Sequence, residues 1–276
     1  MEPLEQRIGV DLGRRLPLED GVRWAHAQGV RFVDVELDVG ANALETFDAR
    51  RCEAAREVLA AAGISLRLHT LSAVNVAEVS LHVRDGVDRY LEAYVDCAAR
   101  LGAAGVVVHA GYHFGKDKAM RMQAALARLT RAADHAERAG VVLLLENLNK
   151  EPEDAEVHYL AHTVQEWRYF YEQISSPALR LSFTANHAHL VPEGVEGFLA
   201  AIPLERVDEI RLADCWRNGV EQHLRPGQGD MDFGALFAAL DARGWRGPFI
   251  NAFGTLEDMV QARAFLADAA RAAGVA

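Results

Sequence analysis

The sequence predicts an α/β fold, a single (β/α)8 TIM barrel over residues 1–276, on three observations. Short apolar runs recur about every 25 to 40 residues, each followed by a longer stretch of helical spacing and usually a glycine. Two of these runs, Val106-Val107-Val108 and Val141-Val142-Leu143-Leu144-Leu145, are apolar without alternation, so both of their faces need cover, as in a parallel sheet with helices outside. Eight units at roughly 34 residues each match the repeat length of such a barrel. The rival doubly wound open sheet is weakened because no Gly-x-Gly-x-x-Gly follows the first run. No linker, low-complexity tract or charge block divides the chain.

The expected strands are 8–11, 32–37, 66–69, 106–109, 141–146, 179–183, 209–213 and 248–251. Between them, segments rich in Ala, Leu, Arg and Glu predict helices over 50–62, 87–101, 118–139, 164–174 and 233–242, with a last one over 256–273. Gly63, Gly102, Gly140 and Gly244 stand where a left-handed residue ends a helix shortly before the next strand. Gly227-Gln228-Gly229 lacks a following Lys, so it reads as a tight turn into a helix capped by Asp230 or Asp232 rather than as a phosphate cradle. The longest irregular piece, 147–162, is acidic and follows the fifth strand, which places a lid over the barrel mouth.

Composition limits the partners. Forty acids against twenty-nine bases give a formal charge of -11, which repels a phosphate backbone, so nucleic acid is not expected and a small-molecule substrate is. No run approaches the roughly eighteen apolar residues of a membrane span. The first five residues carry two acids where a secretory leader needs basic residues, so a cytoplasmic protein without a membrane partner is expected. Cys52, Cys97 and Cys215 show no CxxC spacing and so build neither a zinc knuckle nor a disulfide framework. Cys52 and Cys97 lie in Ala-rich helical stretches and are expected to pack as buried small apolar residues. No Gly-x-Ser-x-Gly elbow is present, so a serine hydrolase is not indicated.

The carboxyl ends of parallel barrel strands all open on one face, so polar residues that end apolar strands converge there. They are Asp11, Glu36, His69, His109, Glu146, Thr184 with His187, Arg211 with Asp214, and Asn251. Asp11 and Glu36 are suited to binding hydroxyls or, equally, to pairing with Arg14, Arg15 or Arg31. Trp216 and Arg217 follow Asp214, where an aromatic walls the mouth or simply packs.

In order along the chain stand Leu68-His69, Val108-His109-Ala110-Gly111, Leu145-Glu146-Asn147 and Asn186-His187-Ala188-His189. Ile210-Arg211-Leu212-Ala213-Asp214, Glu221-Gln222-His223-Leu224 and Pro226-Gly227-Gln228-Gly229-Asp230-Met231-Asp232-Phe233 follow. This succession resembles the xylose isomerase-like barrel superfamily, which includes sugar isomerases, ketose 3-epimerases, inosose dehydratases and an apurinic-site endonuclease. The resemblance implies a divalent ion held by a Glu ending strand five, an Asp on strand six, a His on strand seven and a Glu on strand eight. The first position falls on Glu146 and matches; the other three fall on Thr184, Arg211 and Asn251 and do not. Two carboxylates thus become neutral and an imidazole becomes a permanent cation, so the expectation is that Arg211 replaces the ion, pairs with Glu146 and holds a substrate carbonyl or enediolate oxygen. The resemblance also matches His69, His109 and Glu146 to one zinc site of the endonuclease, and His187, Glu221 and His223 more loosely to another; in sugar-active relatives the histidines ending strands three and four touch substrate instead. The cofactor expectation is therefore either none or one divalent metal, Zn, Mn or Co.

These readings point to a sugar isomerase or epimerase-like enzyme, or a dehydratase-like lyase, abstracting a proton next to a carbonyl of a small polyhydroxylated or keto substrate. Glu146, His187, Arg211 and Asp214 are the candidate catalytic residues, and Asp11, Glu36, His69, His109, Thr184, His223 and Asn251 the candidate substrate contacts. Asn251 cannot exchange a proton, so a second carrier falls to His187, His109 or Asp214. Two other classes stay open: a metal-dependent phosphodiesterase of the endonuclease kind, and a non-catalytic sugar-binding barrel. Relatives assemble as dimers or tetramers, so a homodimer or homotetramer is implied, with the Ala-rich last helix as one candidate interface.

Overall fold

The computed structural model describes residues 3–275. Eight parallel strands close on themselves: β1 (Ile8–Gly13), β2 (Phe32–Val35), β3 (Ser65–His69), β4 (Gly105–Val108), β5 (Leu143–Glu146), β6 (Leu179–Thr184), β7 (Val207–Leu212) and β8 (Phe249–Asn251). Each pairs with its neighbours in sequence, and β8 returns to β1 with Ile8 opposite Phe249 and Val10 opposite Asn251. All eight strands expected from the sequence are present, their ends displaced by one or two residues. The helix over Lys118–Ala139 has the expected bounds, and Gly63, Gly102 and Gly140 take the left-handed conformation that ends three of the helices. Asp232, not Asp230, caps the Phe233–Ala242 helix by accepting from the Ala235 amide.

Successive side chains on a strand point to opposite faces, which sorts the barrel into two populations. Outward go Val10, Val33, Leu66, Leu68, Val106, Leu145, Leu181, Phe183, Ile210 and Phe249, all joined in one apolar core with the surrounding helices. Trp167 illustrates that layer: it is fully buried, stacks on Phe183 at 6.3 Å and donates its indole N–H to the Leu145 carbonyl at 3.2 Å. Inward go Asp11, Asp34, Arg67, His69, His109, Glu146, Ser182, Thr184, Glu209 and Arg211. Such interiors are ordinarily filled by branched apolar chains. Here charged and polar chains share the lumen with Val107, Leu144 and Ile250.

The 147–162 segment is not a free loop. Its His158–Tyr159 strand pairs antiparallel with Tyr112–His113 from the connection after β4, which holds it across the mouth. At its base Ala161 is fully buried with φ 65°, the left-handed value and the sole non-glycine positive φ among the described residues. The three cysteines are free thiols and all buried. Among the described residues no helix is long and apolar enough to cross a membrane.

Candidate functional site

Arg211, on β7, reaches across the lumen to Asp34 on β2 and donates from Nη1 to Oδ2. Three more carboxylates stand around the guanidinium: Asp11 at 3.7 Å, Glu209 at 3.7 Å and Glu146 at 3.9 Å. Below it Arg67 pairs with Glu209 at 3.0 Å. Burial alone would raise the Asp34 carboxyl, but Arg211 and His69 overcome it and hold the group at about 2. Asp11 has less compensation, and burial together with neighbouring Asp34 pushes it up to about 7.

At the mouth end of the lumen His69, His109 and Glu146 meet around one point. The two Nε2 atoms lie 3.1 Å apart, and they face Glu146 Oε2 at 3.3 Å and 3.0 Å. Imidazole nitrogens this close need a proton or a cation between them, and donors placed tetrahedrally about zinc are about 3.3 Å apart. The rings are turned to present Nε2 inward. Thr70 gives its hydroxyl proton to the Val107 carbonyl at 3.0 Å, so toward His109 Nδ1, 3.4 Å away, its oxygen can only accept. His69 Nδ1 faces Asp34 Oδ2 at 3.5 Å. Burial and Arg211 press His69 down, yet Asp34 and Glu146 raise it to about 10, whereas burial leaves His109 below its ordinary value. Burial would lift Glu146, but the two histidines and Arg211 hold it well below the usual carboxylate range.

The chemistry of the donors points the same way. Asp34 and Glu146 hold a proton on His69, and a divalent ion that takes the place of that proton keeps the charge between these groups in balance. Two imidazoles with one carboxylate are a sufficient protein ligand set for such an ion. The residues fit.

A second convergence lies beside the first. His187 donates from Nδ1 to the Asn147 carbonyl at 2.8 Å and His223 from Nδ1 to the Ala252 carbonyl at 2.6 Å, so both turn Nε2 toward Glu221 Oε1, at 3.0 Å and 2.8 Å. Each triad brings its ligand atoms within 4.8 Å of one another. Burial raises the Glu221 carboxyl, and the two imidazoles more than reverse it. Both triads open into one cavity of about 230 Å³, which Asp11, Glu36 and Arg211 also line and Tyr159 of the lid roofs.

The structure corrects several expectations. Arg211 is buried as expected, but its close partner is Asp34, because the β7 side chain points straight across the lumen instead of toward the β5 end. Asp214 does not face the cavity. Its carboxylate accepts from the amides of Cys215, Gly227, Gly229 and Met231 at 2.8–3.2 Å and so fastens the loop after β7. A Cβ on Gly229 would lie 2.3 Å from Asp214 Oδ1, which explains the glycine there. Asn251 points outward and donates to the Met259 carbonyl at 2.8 Å; the residue that reaches the cavity from β8 is Ala252, one position on. Thr184 stands behind the site, donating its hydroxyl to Glu146 Oε1 at 2.5 Å.

Asp11, His69, His109, His187 and His223 all reach the cavity, as does Glu36, which also pairs with Arg14 at 3.0 Å. Trp216 sits half-exposed outside the cavity lining. The sequence reading missed Asp34, Glu209 and Arg67, which are mid-strand. A signal for them exists in the alternation Arg67-Leu68-His69 and Glu209-Ile210-Arg211, where every second residue is charged.

No curated protein matches the sequence. A family model described as xylose isomerase-like TIM barrel matches residues 22–269. Among solved structures, a D-tagatose 3-epimerase-like protein superposes with a TM-score of 0.81 at 18% identity, over 97% of this chain and 98% of that one. D-Psicose 3-epimerase from Clostridium cellulolyticum H10, solved with D-tagatose, gives 0.75 at 16% identity over 97% and 96%. The 3-keto-D-glucoside 4-epimerase of E. coli gives 0.72 at 16% identity over 95% and 98%. At these identities the superpositions speak for the fold, and the family model covers most of the sequence. The chain belongs to the xylose isomerase-like TIM barrel family.

Proposed function

We propose that this protein is a sugar isomerase or epimerase-like enzyme that moves a proton at the carbon next to a carbonyl of a small polyhydroxylated or keto substrate. The observation that carries this reading is the meeting of His69, His109 and Glu146 around one point beside a buried guanidinium, on the floor of a small cavity. At about 230 Å³ the cavity lies below the range usual for drug-sized ligands and suits a small one. The epimerases among the structural neighbours support the same chemistry.

A divalent ion held by His69, His109 and Glu146 supplies, when bound, polarisation of a carbonyl oxygen. Arg211 adds a fixed positive charge beside that place and stabilises a developing enediolate, which is the role proposed for it in the position where the resemblance puts a metal ligand. Glu146 is ionised and accepts the proton. Asp11 borders the cavity and, pushed up to about 7 by burial and Asp34, exchanges its own proton near neutrality and serves as the second carrier.

The test is exchange with solvent. Ketoses and keto sugars are incubated with the Co²⁺-supplemented protein in deuterated water, and deuterium at carbon is read by NMR. Label that appears with the wild type and vanishes in Glu146→Gln supports the reading. Binding without label for every sugar bound overturns it in favour of a non-catalytic barrel. The second triad, His187 with Glu221 and His223, favours one further reading, a metal-dependent hydrolase; its marks are two ions per chain and cleavage of an abasic duplex.

A further inference from the structure

Of the four histidines that face the cavity, three have a neutral oxygen at the outer nitrogen, His109 from Thr70, His187 from the Asn147 carbonyl and His223 from the Ala252 carbonyl, with Glu146 Oε1 farther from His187 Nδ1 at 3.7 Å. His69 differs. Behind its Nδ1 stands a carboxylate, Asp34, at 3.5 Å. The same oxygen, Oδ2, takes the hydrogen bond from Arg211, while Oδ1 is buried with no hydrogen-bond partner. Asp34 is itself fully buried in the middle of β2, where neighbouring backbone fixes it on both sides: β1 pairs with it at Asp11 and β3 at Arg67.

One atom of one side chain therefore touches both the imidazole of the first triad and the cation beside it. A carboxylate behind a ligating histidine fixes its tautomer and ring angle and makes the facing nitrogen more basic. The remaining acids around Arg211 do not do this. Glu209 is engaged from below by Arg67 at 3.0 Å and by the Ser182 hydroxyl at 2.8 Å, and the acids within 4.0 Å of His69 among the described residues are Asp34 and Glu146.

We propose that Asp34 is a positioning residue for the candidate site: resting on the divalent-ion reading above, it aims His69 Nε2 at the ion and at the same time holds Arg211 off Glu146. Without Asp34 the guanidinium is free to turn toward the acids left around it, Asp11 and Glu209 at 3.7 Å and Glu146 at 3.9 Å, the last a carboxylate that the ion needs. Both effects weaken the ion's hold. Asp34 touches neither the ion's place nor the cavity, so on the ion it acts through these two neighbours.

Co²⁺ is titrated into the metal-stripped wild type, Asp34→Asn and Glu209→Gln, with the visible d–d bands as readout and thermal melting to confirm folding. Asp34→Asn is expected to bind Co²⁺ about ten- to a hundredfold more weakly and with altered bands, while Glu209→Gln, which removes a charge from the same lumen, stays within about threefold of wild type. Equal binding by Asp34→Asn and wild type overturns the positioning role. So does an equal loss in both variants, which makes the effect one of bulk charge. A wild type that takes up no Co²⁺ overturns the ion reading of the site and this role together. Asp34→Ser replaces Asp34→Asn should the amide fail to fold, with the same outcomes.

Discussion

Arg211 and Asp34, 177 residues apart in sequence, form an ion pair inside the barrel with neither side chain more than 4% exposed. Removing one member of a buried pair strands the other, which costs about 3–5 kcal/mol. Arg211→Met should lose that much in urea unfolding, because Asp11, Asp34, Glu146 and Glu209 are left around an apolar chain. A loss below about 1 kcal/mol would show that those acids are already neutral.

Metal content follows from the first triad. Dialysis against Zn²⁺, Mn²⁺ or Co²⁺ should leave at least one ion tightly bound per chain, and Glu146→Gln should release the ion at His69 and His109. At a free-ion concentration 100 times the dissociation constant, binding stabilises by about 2.7 kcal/mol, so chelation should lower the melting temperature visibly. No change in melting on chelation would count against the site.

Asp214 should matter for folding instead of chemistry. Four main-chain amides donate to its buried carboxylate, so Asp214→Ala leaves them without an acceptor. A cost of about 3 kcal/mol is expected, with faster proteolysis in the loop between β7 and the Phe233–Ala242 helix. A variant of normal stability but no turnover would restore the catalytic expectation for Asp214.

Acid stability should depend on Glu166 at the base of the lid. Burial would raise this carboxyl, but His162 and Lys118 overcome it and lower it from 4.5 to about 2. A depressed carboxyl contributes stability that is complete above its unfolded pKa and disappears as pH falls through the folded one. The contribution, on the order of 2 kcal/mol with Lys118 partly exposed, should therefore vanish between about pH 5 and pH 2. Glu166→Gln should flatten that limb of the stability profile and leave it unchanged below pH 2.

Ala161 holds a left-handed backbone that costs an L-residue about 1–2 kcal/mol. Ala161→Gly should relieve it, but the lost buried methyl and the freer unfolded chain offset that relief, so stability by thermal melting should change by less than about 1 kcal/mol.

The strands and helices could be read because apolar runs, helical spacing and glycine stops coincided at each unit. The site was harder. Choosing polar residues at strand ends found His69, His109, Glu146 and Arg211, but nearness to an end says nothing about side. Asn251 and Ala252 differ by one position and point to opposite faces of β8, and parity decides between them. Asp34 and Glu209 escaped because charged residues inside strands contradict the apolar filling expected of a barrel. Asp214 looked catalytic by position, while its actual task depends on glycine amides a dozen or more residues later, which no local pattern reveals.

The alternation of charges down the lumen also constrains how this barrel can drift. An exchange of Arg67, Arg211, Asp34 or Glu209 for a neutral residue strands a partner of opposite sign, so tolerated changes there should arrive as compensating couples. Return to the ligand set that the resemblance implies would need His at 211, acids brought back at the sixth and eighth strands, and relief of Asp34 together. Single steps along that route pass through unstable intermediates.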